Sequence, residues 1–137
     1  MPKVVGLGGI FIKCNNPKAM NAWYENTLGL KVNDYGVGFE FIKPNNQKGH
    51  LQLGTFDKDT TYFGSEKQQA MLNFRVDNLT DFIPLLKERN VTILNELEDF
   101  PYGKFIHIED LDGNRIELWE PVDSVFSNDG TPKQPLL

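Results

Sequence analysis

The side chains able to do chemistry lie in short alternating runs. Arg115-Ile116-Glu117-Leu118-Trp119 alternates polar or aromatic residues with aliphatic ones. In a strand this sends Ile116 and Leu118 to one face and Arg115, Glu117 and Trp119 to the other. His50-Leu51-Gln52-Leu53 alternates likewise, so His50 and Gln52 share a face. The second histidine, His107, stands between Ile106 and Ile108 on the less apolar face of its strand. His50, Gln52, His107 and Glu117 together are donors that a divalent transition metal accepts. Nothing in their spacing demands that they converge, and a surface or hydrogen-bonded core histidine is the plainer role for each.

Two other chemical features carry less. Cys14 follows a strand and precedes a helix N-terminus, where a thiolate can be stabilised. Its counterpart in the repeat described below is Val76, so a small buried hydrophobe is the expected role. The glycines of Gly6-Leu7-Gly8-Gly9 fall within a strand and not between strand and helix, which is the wrong context for a phosphate loop.

The elements that must position these residues come in two copies. Ile10-Phe11-Ile12-Lys13-Cys14-Asn15-Asn16-Pro17 lines up with Leu72-Asn73-Phe74-Arg75-Val76-Asp77-Asn78-Leu79. Each reads as a strand leading into a helix cap. The first helix is expected over Pro17 to Leu28, with Asn16 as cap, Met20, Trp23, Tyr24, Thr27 and Leu28 in one buried stripe, and Gly29 as the left-handed stop. The second is expected over Leu79 to Arg89, with Leu79, Phe82, Ile83 and Leu86 on one face. Pro84 is tolerable there if Thr80 is the cap, and otherwise kinks the helix. Strand-like runs follow at about 30–35, 37–43 and 49–55, and again at about 91–97, 103–110 and 114–120. Val37-Gly38-Phe39 is matched to Tyr102-Gly103-Lys104, and His50-Leu51-Gln52-Leu53 to Arg115-Ile116-Glu117-Leu118.

A chain of 137 residues, 39% of them hydrophobic, can bury the core of one domain. The division is a first unit at 4–56, a linker at 57–67, a second unit at 68–121 and a tail at 122–137 that wraps the domain or stays partly without fixed structure. The net charge of −5 disfavours nucleic acid and anionic membrane as partners. No apolar run approaches the roughly 20 residues of a membrane helix, and Met1-Pro2-Lys3 does not open an apolar leader. One cysteine cannot form an internal disulfide, which fits a reducing cytoplasm, the expected location.

The order of Gly8-Gly9-Ile10-Phe11-Ile12-Lys13, Trp23-Tyr24, Leu28-Gly29-Leu30, Tyr102-Gly103 and Asp110-Leu111-Asp112-Gly113-Asn114-Arg115-Ile116-Glu117-Leu118-Trp119-Glu120-Pro121 resembles the vicinal-oxygen-chelate superfamily of glyoxalases, bleomycin-resistance proteins and dioxygenases. Leu111 stands where the family's turn usually has proline. The resemblance implies an α+β fold of two tandem βαβββ units, forming an incomplete eight-stranded barrel with helices outside and a ligand cleft in the concave face. A homodimer is also expected from it.

Metal-dependent relatives bind a divalent ion with one side chain from the first and last strand of each unit. The resemblance places those positions at Gly9, Gln52, Met71 and Glu117. Glycine has no side chain and a thioether is a weak donor for a hard ion, so no cofactor is expected in the standard site. The set His50, Gln52, His107 and Glu117 is the alternative should a divalent metal bind. On the same parity the cleft face carries Phe11, Lys13, Gln52, Met71, Asn73, Arg75, Glu117 and Trp119. That mix suits a small ligand with a carbonyl or carboxylate. Glu117, a carboxylate in apolar surroundings, is the candidate general base next to a carbonyl; an ion pair with Lys13 or Arg75 is its structural alternative. Trp119 is expected to pack; Tyr62 and Phe63 could fold over the cleft mouth, but pinning the linker onto the barrel is the expected role of both. Three functions follow: a glyoxalase-like lyase or isomerase using Glu117, a metal-free binder of the bleomycin-resistance type, and, least supported because Gly9 and Met71 cannot supply its histidines, a ring-cleaving dioxygenase.

Overall fold

The computed structural model describes residues 1–136. The first unit consists of β1 (Val4–Cys14), α1 (Pro17–Leu28), β2 (Val32–Asn33), β3 (Gly36–Ile42) and β4 (Lys48–Asp57). The second consists of β5 (Ala70–Val76), α2 (Leu79–Glu88), β6 (Glu98–Phe100), β7 (Gly103–Glu109) and β8 (Arg115–Pro121), followed by a short α3 (Asp123–Ser127). The eight strands form one mixed sheet in the order β2-β3-β4-β1-β5-β8-β7-β6, which does not close. This is the α+β architecture of paired βαβββ units expected above. No helix among the described residues is long and apolar enough to cross a membrane.

Within each unit the first and last strands run parallel, β1 beside β4 and β5 beside β8. The units meet along an antiparallel β1–β5 seam, with Gly9 opposite Asn73 and Phe11 opposite Met71. The concave face is therefore built within one chain. A register shift between Leu7 and Gly9 leaves Gly8 as an extra residue in β1. The bulge changes parity along the strand, so the cleft faces of both its ends can be used. A Cβ on Gly8 would collide with the Asn73 amide oxygen and lie 2.9 Å from the Trp119 ring, which is why the bulge residue has no side chain.

The helices form as their caps dictate but bury unequally. Asn16 accepts from the Ala19 N–H at 3.1 Å and Gly29 ends α1 at φ 71°. Yet α1 has no buried residue, and Trp23 and Leu28 are 50% and 56% exposed. The predicted stripe is present in sequence but only its Met20 and Tyr24 are partly covered. In contrast, Leu79, Phe82 and Leu86 of α2 pack with Val76, Ile106 and Leu118 into the main apolar cluster. The cap of α2 is Asn78, not Thr80, so Pro84 lies in the second turn and withholds the N–H that the Thr80 carbonyl would have accepted.

Two details of the repeat differ from the sequence reading. The second strand of the second unit starts at Glu98, and of the 91–97 run only Ile93 makes an isolated bridge, to Ile108. The glycine equivalent to Gly103 is Gly36, not Gly38: both open the strand after a turn, at φ 138° and 134°. That backbone region favours glycine, and the conformation decides the match.

The tail wraps. Asp123 at the start of α3 is buried and pairs with Arg75, through Nη1 at 3.0 Å and Nη2 at 2.5 Å, and with Lys43 Nζ at 3.0 Å. Its carboxylate also accepts from the His50 backbone N–H at 3.1 Å. Farther on, Gln134 bonds both the Gly38 carbonyl and Lys31 of the first unit. Burial alone would raise the Asp123 pKa, but the bonds from Arg75 and Lys43 outweigh it and hold the group below the usual carboxylate range. A depressed folded-state pKa stabilises above the unfolded value and is lost as the pH falls below it. Asp123→Ala should therefore cost about 3–5 kcal/mol in urea unfolding at neutral pH, because it strands a buried guanidinium. The gap between variant and parent should shrink below about pH 4.

Candidate functional site

β8 runs between α2 and the concave face, and its alternation separates the two environments. Ile116 and Leu118 join the apolar cluster under α2, while Glu117 and Trp119 line a cleft of about 510 Å³. Glu117 is only 2% exposed. A carboxylate so buried needs donors, and three reach it. Asn73 Nδ2, opposite it on β5, donates to Oε1 at 2.7 Å. His107 Nε2, opposite it on β7, bonds Oε2 at 2.8 Å, and the Tyr62 hydroxyl donates to the same oxygen.

The protons in this network can be placed. Arg115 Nη1 lies 3.2 Å from His107 Nδ1, and a guanidinium can only donate. His107 Nδ1 is then the acceptor, and Nε2 carries the proton given to Glu117. Burial, and then the adjacent Glu117 charge, push the Tyr62 phenol far above its ordinary value, so it remains a donor. Its ring stacks on Phe56 at 5.5 Å and meets His107 edge-on at 4.9 Å.

The other expected site residues divide. Phe11, Gln52, Asn73 and Trp119 line the cleft with Glu117; Lys13, Met71 and Arg75 do not. Lys13 Nζ bonds the carbonyls of Ser65 and Glu66 at 3.2 and 3.3 Å, tying down the linker. Arg75 is held by Asp123 and donates to the His50 carbonyl, between the Phe41 and Trp119 rings at 5.1 and 5.6 Å. Neither cation pairs with Glu117, so neither ion pair considered above forms. Trp119 stacks on Phe105 at 5.9 Å and its Nε1 donates to the Tyr102 carbonyl. It packs, as a wall of the cleft. Cys14 is buried, which pushes its thiol pKa up.

Sequence reasoning missed Tyr62 as a partner of Glu117. Phe63, fully buried, pins the linker, but Tyr62 beside it points into the cleft and is 40% exposed. It also missed the wall supplied by Tyr35, Phe39, Phe56, Phe105 and Phe126, and the tail residues Asp129, Thr131 and Lys133 at the mouth. Strand alternation was a signal for Phe39 and Phe105; the linker offered only its aromatics near the cleft mouth, and the tail offered none.

The four positions implied for a metal, Gly9, Gln52, Met71 and Glu117, lie on β1, β4, β5 and β8. Gly9 and Gln52 are register partners, but Asn73, not Met71, stands opposite Glu117. Gly9 offers no donor atom, and three hydrogen bonds already occupy Glu117. His50 of the alternative set turns its Nε2 to Ser127 Oγ at 2.9 Å. Burial lowers the His50 pKa, against the raising pull of Asp123 and Glu40. No group of three or more His, Cys, Asp or Glu among the described residues is placed to hold a metal ion. The donor set does not fit the family's divalent ion.

The family model described as "Glyoxalase/Bleomycin resistance protein/Dioxygenase superfamily" matches residues 6–118. The chain belongs to this superfamily. No curated protein matches it. Methylmalonyl-CoA epimerase from Mycobacterium tuberculosis superposes with a TM-score of 0.60 at 20% identity, covering 90% of this chain and 93% of that one. A variant of the Streptomyces coelicolor methylmalonyl-CoA epimerase in complex with 2-nitronate-propionyl-CoA gives 0.65 at 14% identity, covering 88% and 99%. A superfamily member from Vibrio splendidus gives 0.53 at 13% identity, covering 88% and 99%. At such identities the likeness is one of fold.

Removing the Glu117 carboxylate strands its donors. Glu117→Ala should destabilise by about 1–3 kcal/mol for each donor left unsatisfied. Glu117→Gln should cost clearly less, because the Asn73 amide can turn over and present its oxygen, which has no partner here. Urea unfolding of both variants measures the difference; equal losses would contradict the hydrogen-bond assignment.

Proposed function

We propose that the protein binds a small, flat, largely apolar compound carrying a carbonyl in its concave cleft, without a protein-held metal. The composition of the cleft wall carries this reading. Nine aromatic side chains among the described residues line a volume of about 510 Å³, within the roughly 300–1,000 Å³ of small-molecule sites. The polar groups of the lining are Glu117 and Asn73, the Asn33 and Gln52 amides, His50, and Asp129, Thr131 and Lys133 at the mouth. A Cβ on Gly38 would lie 3.6 Å from Asn33 Nδ2, a donor for a ligand carbonyl, and 3.7 Å from Gln52 Oε1, an acceptor whose Nε2 donates to the Leu53 carbonyl. A free carboxylate is less well served, since Arg75 and Lys13 have other partners outside the cleft and Lys133 at its mouth is paired with Asp129 at 2.9 Å. This is sequestration of the bleomycin-resistance type.

A second reading is a glyoxalase-like enzyme in which Glu117 removes a proton next to the carbonyl. It is favoured by the position of Glu117 in the cleft wall and by the methylmalonyl-CoA epimerases among the structures of similar fold. The three donors already on that carboxylate weigh against it. A homodimer belongs to the proposal too, the exposed Trp23 and Leu28 of α1 supplying an apolar surface for it.

The chain has two tryptophans, and replacing the exposed one, Trp23→Phe, leaves Trp119 to report on the cleft. Titration of that variant with flat carbonyl compounds such as coumarin should quench Trp119 saturably. Gly38→Leu, at an extended position where the nearest atom to an added Cβ is Lys133 Cγ at 3.4 Å, should weaken binding at least about tenfold by filling the cleft. Quenching that is unchanged by Gly38→Leu would place the ligand elsewhere and sink the reading. Glu117→Gln separates binder from enzyme: retained affinity with any turnover reduced about 100-fold or more marks a general base. Sedimentation at 15.6 kDa would remove the homodimer.

A further inference from the structure

The three donors on Glu117 are not equivalent. Asn73 and His107 are buried on strands, each directly opposite Glu117 across the sheet. His107 is further held by Arg115, and its backbone N–H by Asn95 Oδ1 at 2.7 Å. Tyr62 is different in each respect. It comes from the linker between β4 and β5, it is 40% exposed, and its hydroxyl has no other partner among the described residues. The neighbouring Phe63, fully buried, anchors the chain, so the Tyr62 side chain can rotate away while the linker stays in place. What holds Tyr62 is a stack on Phe56, an edge contact with His107 and one hydrogen bond to Glu117.

Those three contacts describe a ligand subsite that already has an occupant. We propose that Tyr62 is a displaceable internal ligand, and that the compound bound in the cleft carries an aromatic ring with an O–H or N–H donor that takes its place on Glu117. This rests on the cleft being a ligand site, as argued above, and adds the chemistry of one end of the ligand. Glu117 forms no ion pair with lysine or arginine among the described residues, so a strong neutral donor adds to the network. A ring lacking such a donor has no means of competing for the carboxylate and must bind beside Tyr62. The slot between Phe56 and His107 offers the incoming ring the same stack and the same edge that now hold the phenol.

The matched probes are p-cresol, which is the tyrosine side chain as a free molecule, and 4-methylanisole, the same shape without the donor. Isothermal titration of the parent protein should show p-cresol binding at least tenfold more tightly than 4-methylanisole. Tyr62→Ala removes the internal competitor and should tighten p-cresol at least tenfold, with little gain for 4-methylanisole. Tyr62→Phe keeps the ring but frees it from Glu117, and should fall between parent and Tyr62→Ala; near-ultraviolet circular dichroism confirms that each variant is folded. Equal affinity for the two probes would overturn the subsite while leaving the cleft reading intact. Weaker p-cresol binding in Tyr62→Ala would also overturn it, since Tyr62 would then be a contact of the ligand and not its stand-in. If neither probe binds any variant the subsite falls, and the coumarin titration decides separately whether the cleft reading falls with it.

Discussion

Burying a carboxylate in an aromatic cleft is costly unless its oxygens are satisfied, and the site is organised around that constraint. Glu117 draws one donor from β5, one from β7 and one from the linker. The β5 donor requires that Asn73 lie opposite Glu117, which fixes the parallel register of the second unit. The Asn73 amide in turn sits where a side chain at position 8 of β1 would be, so the bulge at the seam carries glycine. The β7 donor is oriented by Arg115. One buried charge thus reaches both units and the segment between them.

A second polar knot does comparable work at the other side of β5. Asp123 collects Arg75, Lys43 and a backbone N–H of β4, so the end of the second unit is bound to the first by charge-assisted bonds. Arg75 and Glu117 are neighbours in the sheet, yet each has its own partners. The two networks keep their charges apart, and the aromatic wall lies between them and solvent.

Local rules made much of this legible in the sequence. The Asn16 and Gly29 caps and the alternation of Arg115 to Trp119 depend on adjacent residues, and the structure has them where those residues stand. The cleft partners of Glu117 were less accessible. Lys13 and Arg75 share parity with Asn73 but reach partners on the linker and α3, because long side chains seek the nearest acceptors and parity sets only a direction. Tyr62 belongs to a segment with no period, so only tertiary structure could bring it to Glu117. The match of Gly38 to Gly103 failed because letters were compared, whereas φ relates Gly103 to Gly36.

The β1–β5 seam has a consequence of its own. The pairs Gly9–Asn73 and Phe11–Met71 exchange under the repeat, so the sheet has an approximate two-fold axis through its centre. Two separate identical chains meeting in this way would obey an exact axis, and every substitution would appear in both halves of the cleft. Here both halves belong to one covalent chain and are free to drift apart. The result is a polarised pocket: Glu117 and its donors in the second unit, Gln52 in the first, and a phenol supplied from a linker that has no counterpart. Such symmetry breaking lets the cleft distinguish the two ends of a molecule, which an exactly symmetric one cannot do.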